Sequence, residues 1–237
     1  MRLPDEVADF ATNARARYLG RCRCDPKRCL CHEKLRVAVA AYEACVPQIF
    51  WNVKEGDVEF NKRVFQHEVT TYVNNLNMAL KRGYGLLFIG ANGVGKTMFM
   101  SYILMKAIKA GRTAYYTSMP QMDYDVKAGW GNKALEQRLR WLLTSDYMAI
   151  DEIGKEHGQS GSYSDVQLER VLKKRCDDAL PTLIATNMPY DQLVRRYGNT
   201  VGSMLIGHFR VALLEPGDYR GKMQGRMTSE MGYDDDI

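Results

Sequence analysis

Residues 90 to 97 read Gly-Ala-Asn-Gly-Val-Gly-Lys-Thr, the G-x-x-x-x-G-K-T spacing. Glycines at 90, 93 and 95 let the backbone turn tightly, with its N–H groups pointing into one concavity. A helix that begins at this point presents its positive end to the same place, which favours a polyphosphate there. Lys96 is expected to reach the β- and γ-phosphates, and the Thr97 hydroxyl to ligate Mg²⁺. Gly90, Asn92, Gly93, Val94, Gly95, Lys96, Thr97 and Met98 therefore form the expected nucleotide-binding set, with ATP and Mg²⁺ as cofactors.

A second carboxylate-bearing stretch completes this chemistry. Tyr147-Met148-Ala149-Ile150 is apolar and runs into Asp151-Glu152. Asp151 is expected to hold Mg²⁺ through its water shell, and Glu152 to polarise the water that attacks the γ-phosphate. Another apolar run, Thr182-Leu183-Ile184-Ala185-Thr186, ends in Asn187. Strand ends in a parallel sheet share one edge, so Asn187 should lie near the γ-phosphate and orient water or sense nucleotide. Lys96, Glu152 and Asn187 are the expected catalytic residues.

The third group is a run of thiols. Cys22, Cys24, Cys29 and Cys31 form C-x-C-x₄-C-x-C, with His32 directly after. Such a cluster in a cytoplasmic protein points to Zn²⁺ rather than to disulfides. Arg21, Arg23, Lys27, Arg28 and Lys34 stand beside the thiols, where they would offset the charge of four thiolates. The C-x-C spacing is tighter than that of common zinc knuckles, and a basic arm with free thiols is the alternative. Eight Lys or Arg lie between Arg15 and Arg36, against only Asp25 and Glu33. That stretch can meet nucleic acid or an acidic protein surface.

These groups must be positioned by an alternation of strands and helices. Leu86–Ile89 is a continuous apolar run, as a buried parallel strand should be. Met98 to Ile108 has helical spacing and stops at Gly111. Further strands are expected at Arg112–Thr117, Tyr147–Ile150, Thr182–Thr186 and Val211–Leu214. Helices are expected at Leu35–Cys45, across Asn61–Leu80, at Pro120–Ala128 and Lys133–Leu143, at Asp165–Ala179, and in two pieces near Tyr190–Tyr197 and Val201–Phe209. Gly154 to Ser164 reads as a polar, glycine-rich mobile loop. The pattern argues for an α/β fold, a P-loop core whose parallel sheet carries helices on both faces, preceded by a small cysteine-rich segment. Three regions result: 1–45 with the cysteines, 46–224 as the ATPase domain, and 225–237 as an acidic, disordered tail.

Composition narrows the classes. The 237 residues are 46% hydrophobic and 26% charged with a net charge of +5, which suits a globular protein with a modest basic bias. No apolar run approaches the roughly 18 residues of a membrane span, and Met1 to Glu6 lacks a signal-peptide core. A cytoplasmic protein without membrane partners is expected.

Taken together, the residues resemble the AAA+ family of bacterial replicative-helicase loaders of the DnaC/DnaI type and the related IstB transposition helpers. The resemblance runs from about Val46 to Arg220. It is carried by Val46-Pro47, the run from Gly85 to Thr97, Ile150-Asp151-Glu152-Ile153-Gly154, the run from Pro181 to Asn187, and Gly217-Asp218-Tyr219-Arg220. The cysteine segment is similar to the zinc-containing helicase-binding regions of some loaders. The resemblance implies extra helices after the second strand, single-stranded DNA binding, a hexameric replicative helicase of the DnaB type as partner, and self-association through the ATPase domain. It makes Asp151 and Glu152 the Walker B pair, Asn187 the sensor 1 residue and Arg220 a sensor 2 arginine that contacts nucleotide.

Tyr124, Lys127, Trp130 and Lys133, on the helices after the second strand, are the candidate DNA contacts. One position departs from the family pattern. Met204 stands where an arginine is usually supplied to a neighbour's nucleotide, and Arg175, Arg195, Arg196 and Arg210 are the nearby alternatives. Hydrolysis is then expected to be slow or partner-dependent, since such arginines contribute ~10³–10⁵-fold in NTPases. The functional expectation is an ATP-dependent loader that delivers a helicase to single-stranded DNA. The alternatives are a transposition helper ATPase and a small-molecule P-loop kinase, for which Lys155 is the one candidate lid cation.

Overall fold

The structure is a computed structural model, and it describes residues 4–20, 22–24, 29–54, 56, 65–128, 132–154 and 162–214. The expected contact Trp130, the Arg220 site, Lys155 and the tail 225–237 lie outside the described residues. So do the side chain of Lys133 and the residues Arg21, Lys27 and Arg28.

Five strands make one all-parallel sheet: β1 (Gly85–Ile89), β2 (Ala114–Ser118), β3 (Tyr147–Ile153), β4 (Thr182–Thr186) and β5 (Phe209–Leu213), in the spatial order β2-β3-β4-β1-β5. All five residues of β1 and of β4 are buried, which explains why these strands read as unbroken apolar runs. Alternate side chains feed two cores, one on each face. Leu86, Phe88, Tyr147, Ala149, Leu183 and Ala185 belong to the first core. Leu87, Ile89, Met148, Ile150 and Ile184 belong to the second. This two-residue alternation is what a pleated strand imposes.

The first face is covered by α5 (Lys96–Lys109), by α3 (Phe65–Asn74), and by α2 (Leu30–Glu43) of the amino-terminal region. The second is covered by α6 (Met119–Ala128), α7 (Lys133–Thr144), α8 (Tyr163–Asp177) and α9 (Tyr190–His208). The extra helices after β2 thus appear where the resemblance placed them. No helix among the described residues is long and apolar enough to cross a membrane.

Several boundaries differ from the sequence expectation. The single helix drawn toward Leu80 is broken at Asn75, whose φ/ψ of −118/27 separates α3 from α4 (Leu76–Arg82). The two pieces after Tyr190 are one helical span, kinked at Gly198 with φ 85 and ψ 171. Helix α8 starts at Tyr163 rather than at Asp165. Ser162 and Asp165 cap each other's backbone N–H groups, a reciprocal box that fixes the start. Strand β5 begins two residues early, at Phe209.

The amino-terminal region also holds a helix that periodicity did not reveal, α1 (Pro4–Leu19). Only Ala14 of α1 is buried, so its apolar stripe is too thin to read from sequence. It docks through Phe10, stacked on Tyr42 at 4.1 Å and edge-on to Trp51 at 5.9 Å. Helix α2 sinks deeper, with Val37 and Ala41 in the same core as α5 and the sheet. Burying a side chain such as Val37 contributes about 1.5–3 kcal/mol. The Arg36 guanidinium donates to the Ile108 and Lys109 carbonyls, at 3.3 Å each, and so satisfies the open end of α5. Residues 30–44 therefore fold on the core beneath the sheet rather than on a core of their own.

Candidate functional site

The loop between β1 and α5 has the geometry that its glycines forecast. Gly95 precedes α5 with φ 95, a left-handed conformation that costs an L-residue with a Cβ. Lys96 and Thr97 follow at the first turn of α5, where the open N–H groups of the helix end gather. The Lys96 amine donates to the Gly90 carbonyl at 2.7 Å, the Ala91 carbonyl at 2.8 Å and Asn187 Oδ1 at 2.6 Å. Asn187 Nδ2 in turn donates to Asn92 Oδ1 at 2.8 Å. The loop is thus joined to the end of β4 through two side chains. That union follows from the strand order, since β4 pairs directly with β1.

Asp151 is almost fully buried, at 4% exposure, and its carboxylate accepts from three sides. Thr97 Oγ1 donates to Oδ2 at 2.6 Å, Tyr116 Oη donates to the same oxygen at 2.8 Å, and the Glu152 N–H donates to Oδ1 at 2.8 Å. Thr97 and Asp151 stand together as a Mg²⁺ pair would. Their oxygens are the hard ligands that the ion prefers. Tyr116 escaped the sequence reading, because its role depends on β2 lying beside β3. The detectable signal was a polar-tipped residue in a strand otherwise feeding the core.

The backbone bends at the Asp151-Glu152 pair. Ile150 pairs with Ile184 and Ile153 with Thr186, so β3 carries one residue more than β4 over this stretch. Glu152 occupies the bulge with φ 61, which costs about 1–3 kcal/mol for a residue with a side chain. Just beyond, Gly154 has φ 96, and a Cβ there would run into the Met188 side chain. Thr186 Oγ1 donates to the Ile153 carbonyl at 2.8 Å and accepts from the Met188 N–H at 3.0 Å, tying the bulge to the Asn187 loop. The strand ends 151–154 and 186–188 are therefore held as one unit.

A second cluster lies at the start of α2. The thiols of Cys22, Cys24 and Cys29 all lie within 4.8 Å of one another, and the Cys22 and Cys29 sulfurs are 3.3 Å apart. Cys29 is the N-cap of α2, its sulfur accepting from the Cys31 N–H at 3.3 Å. Hydrogen bonding from the Cys22 thiol and from these helix N–H groups lowers Cys29 to about 7. The Cys24 thiol is instead raised to about 11, and Cys31 is raised too, in each case first by its hydrogen bond with Cys29. A thiol that deprotonates near neutrality, with two or three more beside it, suits a soft divalent metal. This cluster could bind one. His32 Nδ1 is buried without a hydrogen-bond partner, next to the same cluster.

The arginine alternatives separate clearly. Arg175 is wholly buried and cannot be offered to a neighbour. It donates to Thr182 Oγ1 and to the Leu142, Ser145 and Pro181 carbonyls, all within 2.7–3.0 Å. Arg196 is drawn to Asp165 at 3.7 Å and is 17% exposed, while Arg210 pairs with Glu68 at 2.8 Å and Arg195 is 81% exposed. Met204 is half-buried against the second core. Of the candidate DNA contacts, Tyr124 is 62% exposed and Lys127 pairs with Asp123 at 2.6 Å.

The sequence profile of the IstB-like ATP binding proteins matches residues 35–205, more than half of the chain. The chain belongs to this family. It is accordingly an ATP-binding protein, and the loop, the Asp151 carboxylate and the parallel sheet are what nucleotide binding requires. Among relatives, it is 28% identical over 134 residues to the replicative helicase loader DnaI of Bacillus subtilis (strain 168), which spans 56% of this chain and 42% of that protein. It is 26% identical over 129 residues to an ATP-binding protein of insertion sequence IS5376 from Geobacillus stearothermophilus, spanning 54% of this chain and 48% of that one. The chain thus covers less than half the length of either relative. In structure it is similar to the DnaC helicase loader, with a TM-score of 0.62 and 22% identity over 71% of this chain and all of that one. That likeness concerns the fold.

Proposed function

We propose that this IstB-like ATPase loads a hexameric replicative helicase onto single-stranded DNA in an ATP-dependent step. Residues 1–45 serve as the helicase-binding segment, with Zn²⁺ held by Cys22, Cys24 and Cys29 and by Cys31 as the fourth ligand. Residues 46–224 are the ATPase domain. In that domain Lys96, Thr97 and Asp151 hold ATP and Mg²⁺, Glu152 is the base, and Asn187 positions water. Arg220 is assigned to the nucleotide, and residues 225–237 to a tail.

The observation that carries this reading is the pairing of two sites on one body. A nucleotide site at the sheet edge and a thiol cluster at the head of α2 share the core that α2 and α5 build together. A loader needs such an arrangement, because partner binding and nucleotide binding must communicate. The match to the helicase loader DnaI supports the choice of partner. The matches to insertion-sequence ATP-binding proteins support a second reading, a helper ATPase acting with a transposase.

Capture of purified partners separates the two. The full chain, purified without chelator, should retain a hexameric replicative helicase in an ATP-sensitive manner and should carry about one zinc. Cys29→Ser should reduce capture at least about tenfold while ATP affinity is kept, because a structural zinc in small metal-bound peptides supplies ~10–16 kcal/mol of folding energy. Retention of a transposase and not of the helicase would overturn the loader reading.

A further inference from the structure

Tyr116 lies outside every motif of the nucleotide site, yet it touches the centre of it. Asp151 Oδ2 accepts from both Thr97 Oγ1 and Tyr116 Oη, at 2.6 and 2.8 Å. A carboxylate oxygen has two lone pairs in the carboxylate plane, so these two donors use both. Oδ1 accepts one N–H, from Glu152, and keeps a lone pair available. The carboxylate therefore has one oxygen fully committed and the other able to meet the water shell of a cation. Tyr116 supplies one of the two bonds that commit Oδ2.

The geometry leaves little freedom in this. Tyr116 sits on β2 opposite Ala149, two residues before Ser118, which stands opposite Asp151. Its ring packs against the core shared with α5. A tyrosine hydroxyl is an O–H donor at neutral pH, and this one is aimed at Asp151 Oδ2. A neutral hydroxyl bonded to a buried carboxylate is a charge-assisted bond, roughly twice as strong as a neutral one. The residue is also held from behind. Its backbone N–H donates to the Ala44 carbonyl at 2.8 Å, and Ala44 is the residue that caps α2. Strand β2 is an edge of the sheet, so this bond gives an outward-facing N–H a partner in the amino-terminal region.

We infer that Tyr116 is a positioning residue for the Mg²⁺–nucleotide complex, fixing which Asp151 oxygen faces the ion, from a strand whose place is set in part by α2. This rests on the reading of Asp151 as the Mg²⁺-side carboxylate. Thr97 ties Asp151 to the P-loop helix, whereas Tyr116 ties it to β2. Tyr116 acts through a strand the nucleotide does not touch in this reading. Losing its proton donor leaves Asp151 Oδ2 with a lone pair that buried surroundings do not readily fill with water.

The test is a Mg²⁺ titration of ATP binding to the full chain, comparing the wild type with Tyr116→Phe, beside an arm in EDTA. The substitution keeps the ring and removes one oxygen, so the packing against the core is preserved. Affinity in EDTA, which comes from Lys96 and the loop N–H groups, should be the same in both proteins. The Mg²⁺ concentration for half-maximal binding should rise about tenfold or more in the variant, the effect of one lost hydrogen bond to a charged group. Asp151→Asn sets the upper limit of that rise. An unchanged Mg²⁺ midpoint overturns the inference, and so does an equal loss in the two arms, which would mark the hydroxyl as purely structural. Failure of the wild-type chain to bind ATP in either arm is a different result, and it overturns the nucleotide reading and this inference together.

Discussion

Two cations stand at opposite ends of the same parallel sheet, each bonded to backbone carbonyls. At the carboxyl ends of the strands, Lys96 donates to the Gly90 and Ala91 carbonyls and to Asn187. At the amino ends, Arg175 donates to the Leu142, Ser145 and Pro181 carbonyls and to Thr182. The inventories are nearly the same, but the surroundings differ. Arg175 is 0% exposed, and burial lowers its pKa only to about 10, so a full charge is enclosed at neutral pH. All of its acceptors belong to the fold, and nothing can be exchanged for them. Lys96 is half-buried, and the oxygens of a polyphosphate held in the loop would take the place of its two carbonyl acceptors. A guanidinium with a fixed fork suits the first task, and a single ammonium on a flexible stem suits the second. The comparison teaches that a cation's task follows from whether water and ligand can reach its acceptors, and not from the number of its bonds.

The most severe way to break that contrast is to remove the enclosed charge. Arg175→Leu leaves several buried carbonyls without their donor and should cost about 3–5 kcal/mol. For a domain of this size that is a fall of about 6–20 °C in the unfolding midpoint. Calorimetry reads the loss, and an unchanged midpoint would mean that Arg175 is no keystone. ATP affinity of the folded fraction should not change.

Lys96→Ala should give the mirror image. Stability is expected to stay within about 1 kcal/mol, since water can satisfy the loop carbonyls. ATP affinity should fall by about a hundredfold or more, equivalent to roughly 2.8 kcal/mol. Isothermal titration measures it, and equal affinity in the variant would remove Lys96 from the site.

A third cation sharpens the contrast from the weak end. Lys127 is 53% exposed and bonded to Asp123 one helical turn away. Lys127→Ala should shift stability by less than about 0.5 kcal/mol. If the helices after β2 meet single-stranded DNA, the same change should lower the slope of log affinity against log salt by about one. A slope equal to that of the wild type would place DNA on another surface.

What was legible in the sequence divides along similar lines. That Gly90–Thr97, Asp151 and Asn187 would meet could be read because each stands at the end of an apolar run, and strand ends of a parallel sheet share one edge. The strands were legible for the same reason, as buried runs closed by glycine or a polar residue. Tyr116 and Arg175 were not, because each acquires its role from which strands are neighbours, and order in a sheet is not written in local spacing. The bulge at Glu152 was hidden because a single extra residue leaves no trace in a run of seven. Helix α1 was missed because it buries only Ala14 along its length and depends on Phe10 for its seat. Arg175 stood among the arginines for a neighbour's nucleotide only because its burial could not be seen.

The strand order has a further consequence, which concerns time rather than geometry. β1 pairs with β4 and β5, both of which follow it far along the chain. During synthesis its unbroken apolar face must wait for roughly 100 residues, which at ribosomal speed of about 5–20 residues per second is on the order of 5–20 s. Neither edge of β1 has a strand to pair with in that interval. The nascent P-loop cannot be framed before β4 emerges, so the site is one of the last features to mature, and a chain stalled before Thr182 displays an apolar strand in search of any partner.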